Sequence, residues 1–151
     1  MKLEFKYNDG GRGLYFKGKD VGDCVTRAIA IASGLDYKYI YDTIFKTAGK
    51  TPRTGVKKYY AKAVMKELGF VWHPLMGIGS GCKAHLAAGE IPMSGRIVCA
   101  VSRHYTAVID GVINDTFDPS RGGTRCVYGY YEYPASIYNL LDKLKREGRL
   151  S

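Results

Sequence analysis

The chain has 151 residues and a formal net charge of +9, from 23 basic and 14 acidic side chains. Apolar residues make up 46% and charged residues 25%, which is ordinary globular composition with material for one sizeable core and excludes a disordered chain. No apolar run approaches the ~20 residues of a membrane helix, and the first ten residues lack the continuous apolar core of a signal peptide.

The positive charge suits nucleic acid, an acidic protein or an anionic polymer as partner. The basic residues are scattered, however. The densest group, Lys143, Lys145, Arg146 and Arg149, falls on a C-terminal helix. Lys57, Lys58, Lys62 and Lys66 fall on the polar side of another. No zinc-finger or RNA-recognition signature accompanies them, so a solvated basic surface is preferred and nucleic acid is not favoured. The four cysteines (Cys24, Cys82, Cys99, Cys126) are widely spaced, and without an export signal they are expected as reduced thiols.

Residues 1–20 read as an extended lead-in with a turn cluster at Tyr7 to Gly13. A short strand is expected at Leu14–Phe16 and a loop from Gly18 to Gly22. The stretch from Val21 to Ser33 predicts a short helix, with Asp23 as N-cap, Gly34 as its stop, and Val25, Ala28, Ile29 and Ala32 on one buried face. Cys24 is its first residue, where free amides and the helix dipole favour a thiolate. Asp36 caps a second helix, Tyr37 to about Ala48, with Tyr37, Ile40, Tyr41, Ile44 and Phe45 inward, ended by Gly49. Lys50 to Gly55 is a loop. A third helix runs from Val56 to Leu68, with Val56, Tyr59, Tyr60, Ala63, Val64 and Leu68 inward, and Gly69 stops it.

The second half changes character. Phe70 to Leu75 is strand-like, Met76 to Gly81 a glycine-rich loop without a phosphate-loop signature, and Lys83 to Ala88 one or two helical turns. Arg96–Val101 predicts a buried strand. His104–Ile109 and Val112–Phe117, separated by Asp110-Gly111, predict a hairpin. Asp118 to Gly123 is a loop, Arg125–Tyr133 a tyrosine-rich strand, and Ala135–Glu147 a final helix with Ile137, Leu140, Leu141 and Leu144 inward. No repeat or linker divides the chain, so one domain over 1–151 is expected.

The hairpin carries chemistry. A two-residue turn pairs Ile109 with Val112 and leads back to His104 opposite Phe117. Period-two alternation then puts His104, Thr106, Asp115 and Phe117 on one face, with Asp115 diagonal to His104. A carboxylate there fixes one imidazole tautomer and stabilises the cation. Cys24, His104 and Asp115 thus supply a nucleophile, a base and an orienting group, with Asp118 as fallback for Asp115 if the register slips. Asp20 and Asp23 beside the cysteine oppose thiolate formation. Other constellations are weaker. Cys82-x-x-His85, with His73 nearby, falls short of a zinc motif because no second close cysteine pair accompanies it, so His73 and His85 are read as structural or as cleft rim. Cys99 and Cys126 read as core. Trp72 and the thirteen tyrosines are read as packing rather than base-stacking residues.

A helix-borne Cys, then a strand His, then an acidic or amide residue on the next strand resembles the papain-like cysteine peptidase fold. Asp115-Thr116-Phe117 is similar to the Asn-Ser-Trp that carries the third residue in such enzymes. The His-then-hairpin arrangement resembles the C39-type peptidase domains of bacteriocin-processing transporters. Over most of the chain, Gly22 to Ala32, His104 to Gly111 and Thr124 to Tyr131 resemble a group of small phage and prophage proteins of unassigned activity. The chain departs from papain-like enzymes in having no Gln, with neither Asn nor His between Tyr15 and Asp23. An oxyanion hole would use the Cys24 amide plus a lysine, a tyrosine or another backbone N–H.

The expectation is an α+β, papain-like domain: a helical N-terminal half packed on a C-terminal antiparallel sheet. Its activity would be thiol hydrolysis or acyl transfer at an amide or isopeptide bond, with Cys24, His104 and Asp115 catalytic and no metal or cofactor. The resemblance implies a protein or peptide substrate of a bacterial host, met in the host cytoplasm. The alternative is a catalytically weak or inactive phage protein on the same scaffold that binds or inhibits a host protein or nucleic acid. A cell-wall amidase is a third reading, weakened by the lack of an export signal.

Overall fold

A computed structural model describes residues 1–16, 22–52, 55–77 and 79–149. The loop expected at Gly18 to Gly22, with Asp20, lies outside these residues except for Gly22, as do Val21, Ile78 and the middle of the Lys50–Gly55 loop. The fold is α+β. Helices α1 (Cys24–Ser33), α2 (Tyr37–Ala48), α3 (Lys58–Leu68) and α4 (Ala135–Arg146) accompany strands β1 (Glu4–Tyr7), β2 (Val71–Pro74), β3 (Arg96–Val101), β4 (His104–Ile109), β5 (Val112–Asp115) and β6 (Gly129–Tyr133). One six-stranded sheet has the order β1-β5-β4-β3-β6-β2. Among the described residues, no helix is long and apolar enough to cross a membrane.

Two cores lie against the sheet. One joins Ala28, Ile29 and Ala32 of α1, Ile40 and Ile44 of α2 and Val64 and Met65 of α3 to Val98, Ala107 and Tyr131. The other joins Ile97, Cys99, Val108 and Ile113 to Leu3, Leu86 and Val127 from the connecting segments. Alternation along the strands separates the two sets.

Helix α1 is the central element. Every residue from Val25 to Ser33 is buried, so it is apolar nearly all round, as a helix enclosed on all sides must be. Its C-terminus is held by Gly34 in the left-handed conformation and by two cations from elsewhere in the chain. Arg96 donates from Nε to the Ala32 carbonyl at 2.7 Å and from Nη2 to the Ile31 carbonyl at 3.0 Å, with its guanidinium 3.9 Å over the Tyr138 ring of α4. Lys145 donates to the Gly34 carbonyl. We expect Arg96→Ala to destabilise the fold by about 2–3 kcal/mol, because two charge-assisted bonds to a half-buried helix end are lost. Calorimetry should show the melting temperature falling by about 5–10 °C.

The hairpin forms as its Asp-Gly turn dictates. Asp110 (φ 49°) and Gly111 (φ 78°) both occupy the left-handed region that a type I′ turn requires, and Ile109 pairs with Val112. Asp110 also exchanges two bonds with Gly95, accepting its N–H at Oδ1 (2.8 Å) and donating its own N–H to the Gly95 carbonyl (2.8 Å).

Several expectations are corrected. The sheet is mixed rather than antiparallel, because β1 adds to β5 in parallel, Glu4 against Val112 through Tyr7 against Asp115. All four residues of β1 are exposed, so no buried stripe marks it. Arg12–Leu14 forms a 3-10 turn where a strand was expected at Leu14–Phe16. Lys83 to Ala88 is not helical, since backbone bonds tie it to Arg125 and Val127. Helix α3 starts at Lys58 and buries Ala61, Val64 and Met65, while Tyr59 is 76% exposed. Phe45 and Leu140 are exposed too, so the inward stripes of α2 and α4 are narrower than their periodicity suggests. Strand β5 stops at Asp115 and β6 starts only at Gly129. Cys82 and Cys126 are joined as a disulfide rather than carried as free thiols, and Cys126 is half-buried outside the strand.

Candidate active site

The site sits where α1 begins, β4 begins and β5 ends. Cys24 is the first residue of α1 and half-buried. Asp23 occupies the N-cap position but makes no capping bond, contrary to expectation. Its carboxylate turns to Arg27, one helical turn on, which donates to Oδ1, and to the Tyr37 hydroxyl, which donates to Oδ2 at 2.6 Å. The amides of the first turn are therefore left without a side-chain cap. The Arg12 guanidinium, at 4.0 Å, adds a second cation beside Asp23. Of the two charges expected to oppose a thiolate at Cys24, that of Asp23 is thus met by two arginines.

His104 and Asp115 come together as the hairpin alternation predicts. His104 Nε2 donates to Asp115 Oδ2 at 2.7 Å. Asp115 also accepts the Thr106 hydroxyl at Oδ2 (2.8 Å), and the Thr116 amide (2.7 Å) and Arg27 Nη2 (3.4 Å) at Oδ1. It is 3% exposed, so these donors replace the water it has lost. The expected pairing of His104 with Phe117 ends short of a ladder, but the two rings lie 5.0 Å apart and Phe117 covers the imidazole. Asp118 takes no part, since its carboxylate accepts the Ser120 amide in a local turn.

With Nε2 engaged by Asp115, Nδ1 is the ring nitrogen left for Cys24, which lines the same cleft and acts on the imidazole. Burial is the largest influence on the imidazole and disfavours its charge. The bond to Asp115 and its negative charge, with a contribution from Cys24, outweigh it and push the His104 pKa up to about 9. For Asp115, burial likewise opposes ionisation, but the bond to His104, its charge and the bonds from Thr106 and Thr116 hold the carboxyl below its ordinary 3.8. Arg12, Asp23, Arg27, Asp115 and His104 form a line of alternating sign that leads to Cys24.

No protein family, no curated protein and no solved structure matches this chain.

An open cleft of about 540 Å³ exposes the site, lined by Tyr7, Gly22, Cys24, Arg103, His104 and Phe117 among others. Arg103, at φ 57°, holds the two-residue turn that delivers His104. A second groove of about 330 Å³ is lined by Lys58, Tyr59, Trp72, Tyr105 and Tyr128. It neighbours the first: burial and Tyr131 raise the Tyr105 hydroxyl pKa, and Cys24 raises it further. Trp72 packs on Tyr131 at 4.5 Å, as expected of packing aromatics. Cys99 is fully buried, its thiol pushed up to about 12 by burial, and belongs to the core as expected. His73 bonds Glu132 at the surface, away from the cleft.

Sequence reasoning missed Arg27. Its signal was available: an arginine in a helix otherwise apolar on every side, four residues after Asp23, is the i,i+4 ion-pair spacing in a place where a charge must be paired.

Proposed function

We propose that this protein is a cysteine-dependent hydrolase or acyl transferase acting on an amide or isopeptide bond, on a papain-like scaffold. The observation that carries this reading is the buried pair in which Asp115 holds Nε2 of His104, with Cys24, at a helix start, lining the same cleft as the imidazole. His104 takes the Cys24 thiol proton as the sulfur attacks the carbonyl carbon and the C–S bond forms. His104 gives a proton to the departing amine as the C–N bond breaks, leaving a thioester. His104 then takes a proton from water, or from an acceptor amine, which displaces the thiol. Asp115 orients the imidazole and stabilises its cation without itself taking the proton. The uncapped first-turn amides of α1 are the nearest candidates for stabilising the oxyanion. The aromatic groove beside Tyr105, edged by Lys58, suits a peptide with a large apolar side chain and neighbouring acidic residues.

A second reading, a binding protein on the same scaffold acting on a bacterial host partner, is favoured by one observation. Among the described residues lining the cleft, the polar side chains beyond His104 are Tyr7, Arg27, Arg103 and Thr116, with no Asn or Gln to complete an oxyanion hole.

Site-resolved alkylation of the reduced protein separates the two. The hydrolase reading expects iodoacetamide to modify Cys24 faster than Cys82, Cys99 and Cys126 near neutral pH, and His104→Ala to erase that advantage. The same variant should cost about 10²-fold or more in turnover once a substrate is found. If Cys24 reacts no faster than the other thiols, the binding reading stands in its place, and its host partner should be retained by Cys24→Ala.

A further inference from the structure

The segments 82–90 and 125–127 meet on the far side of the chain's second half. His85 and Cys126 face each other as a β-bridge. The Leu86 amide donates to the Arg125 carbonyl at 2.8 Å, and the Val127 amide to the Ala84 carbonyl at 2.9 Å. Backbone bonds therefore hold the two segments in register whether or not the Cys82–Cys126 disulfide is present. Three soft ligand atoms converge there. Cys82 Sγ, Cys126 Sγ and a ring nitrogen of His85 all lie within 4.8 Å of one another.

One edge of the arrangement already has the length found in a tetrahedral metal site. Cys82 Sγ and His85 Nε2 are 3.5 Å apart. A sulfur at ~2.3 Å and a nitrogen at ~2.0–2.1 Å from zinc, at the tetrahedral angle, stand about 3.5 Å from each other. The other ring nitrogen is already spoken for. His85 Nδ1 bonds Glu90 Oε1 at 2.9 Å, and the same oxygen accepts the His85 amide at 3.1 Å. A carboxylate on one imidazole nitrogen, fixing the ring so that the other faces the metal, is the usual outer support of a zinc-bound histidine. With Cys82 Sγ and His85 Nε2 in place, Cys126 Sγ must move from its bond with Cys82 Sγ to a separation of about 3.8 Å, which is the tetrahedral edge for two thiolates. Cys82 is exposed and His85 and Cys126 half-buried, so an ion and a fourth, water ligand have access.

We propose that Cys82 and Cys126, once reduced, bind a zinc-class divalent ion together with His85, with Glu90 as positioning residue, and that the disulfide is the oxidised, metal-free state of the same site. The exchange needs a two-electron oxidant such as a hydroperoxide. The two thiolates lose two electrons and form the S–S bond. The peroxide takes those electrons and two protons to give water and an alcohol, and the ion is released. This inference is independent of the thiol-hydrolase reading.

The test is a cobalt(II) titration of the full chain after reduction and metal stripping, with zinc as competitor. One equivalent of cobalt should give a thiolate-to-cobalt charge-transfer band with the intense visible bands of tetrahedral cobalt, bleached by zinc. Cys126→Ser should abolish the charge-transfer intensity that zinc displaces, and His85→Asn should lose or shift the visible bands. Glu90→Gln, which keeps all three ligands, should retain the spectrum and bind zinc about 10–100-fold more weakly. Adding peroxide to the zinc form should release one equivalent of zinc as two thiols disappear. The proposal is overturned if the reduced protein gives only the weak spectrum of aquated cobalt. It is also overturned if the band persists unchanged in both Cys126→Ser and His85→Asn, because Cys24 would then be its source.

Discussion

Replacing Asp115 by Asn brings the titration of His104 from about 9 down to, or below, the ordinary histidine value of 6.5. Burial is the largest single influence on this imidazole and acts against its charge. In the native protein the Asp115 bond and charge, helped by Cys24, overcome it. An amide at position 115 leaves burial opposed only by Cys24. Proton NMR of the imidazole resonances against pH reads the change directly, and an unshifted midpoint in Asp115→Asn would refute the role given to Asp115. The same linkage has a sign in stability. Because the folded pKa of His104 lies above 6.5, its contribution is fully present below about pH 6.5 and is lost as pH rises through about 9. A shift of this size corresponds to about 3 kcal/mol for a group that is 8% exposed. Asp115 acts at the other end: its depressed pKa contributes stability above about 3.8 that is lost as pH falls through the folded value. Urea titrations should therefore show a plateau of stability between the two limits, with the alkaline decline missing in Asp115→Asn.

What made His104 and Asp115 legible in the sequence was the rigidity of local rules. An Asp-Gly turn fixes hairpin register, and strand alternation then decides which side chains share a face, so two residues eleven positions apart could be placed together without a structure. Helices α1 and α2 were legible for similar reasons, since their stops, Gly34 and Gly49, stand in the left-handed conformation. Features that depend on the return of distant chain were not legible. Strand β1 has four exposed residues and owes its place to parallel pairing with β5, more than a hundred positions away. Cys82 and Cys126 are 44 residues apart and meet only because β6 and the segment before it cross back over 82–90. The Cys82-x-x-His85 spacing looked incomplete because its third ligand is supplied by tertiary structure. The spacing of Tyr59 and Tyr60 in α3 suggests an inward stripe, yet Tyr59 is exposed. An amphipathic ring can lie along the surface, and Ala61, Val64 and Met65 form the narrower stripe that packs.

Arg27→Met is expected to cost about 3–5 kcal/mol, the largest loss of any single substitution considered for this chain, although Met keeps much of the side chain's length. Arg27 is 3% exposed and lies between two carboxylates that are themselves buried, Asp23 at 1% and Asp115 at 3%. It pairs with both. Removing the cation leaves Asp23 with Tyr37 and the more distant Arg12, and Asp115 with His104 and its neutral donors. Two buried anions then share too little positive charge, and the penalty of an uncompensated buried charge exceeds what the pair itself contributes. At 2–4 °C per kcal/mol for a chain of this size, the melting temperature should fall by roughly 10 °C. Two further readings separate this account from simple loss of packing. The deficit relative to wild type should narrow on acidification, as a protonated carboxyl no longer needs the cation. The double variant Asp23→Asn, Arg27→Met should also be more stable than the sum of the single changes implies, with a coupling of at least about 1 kcal/mol in a double-mutant cycle. Additive losses with no pH dependence would mean that Arg27 fills space and nothing more. A coupled, pH-dependent loss would make it the residue that lets a buried Asp115 remain ionised against His104 at the head of α1.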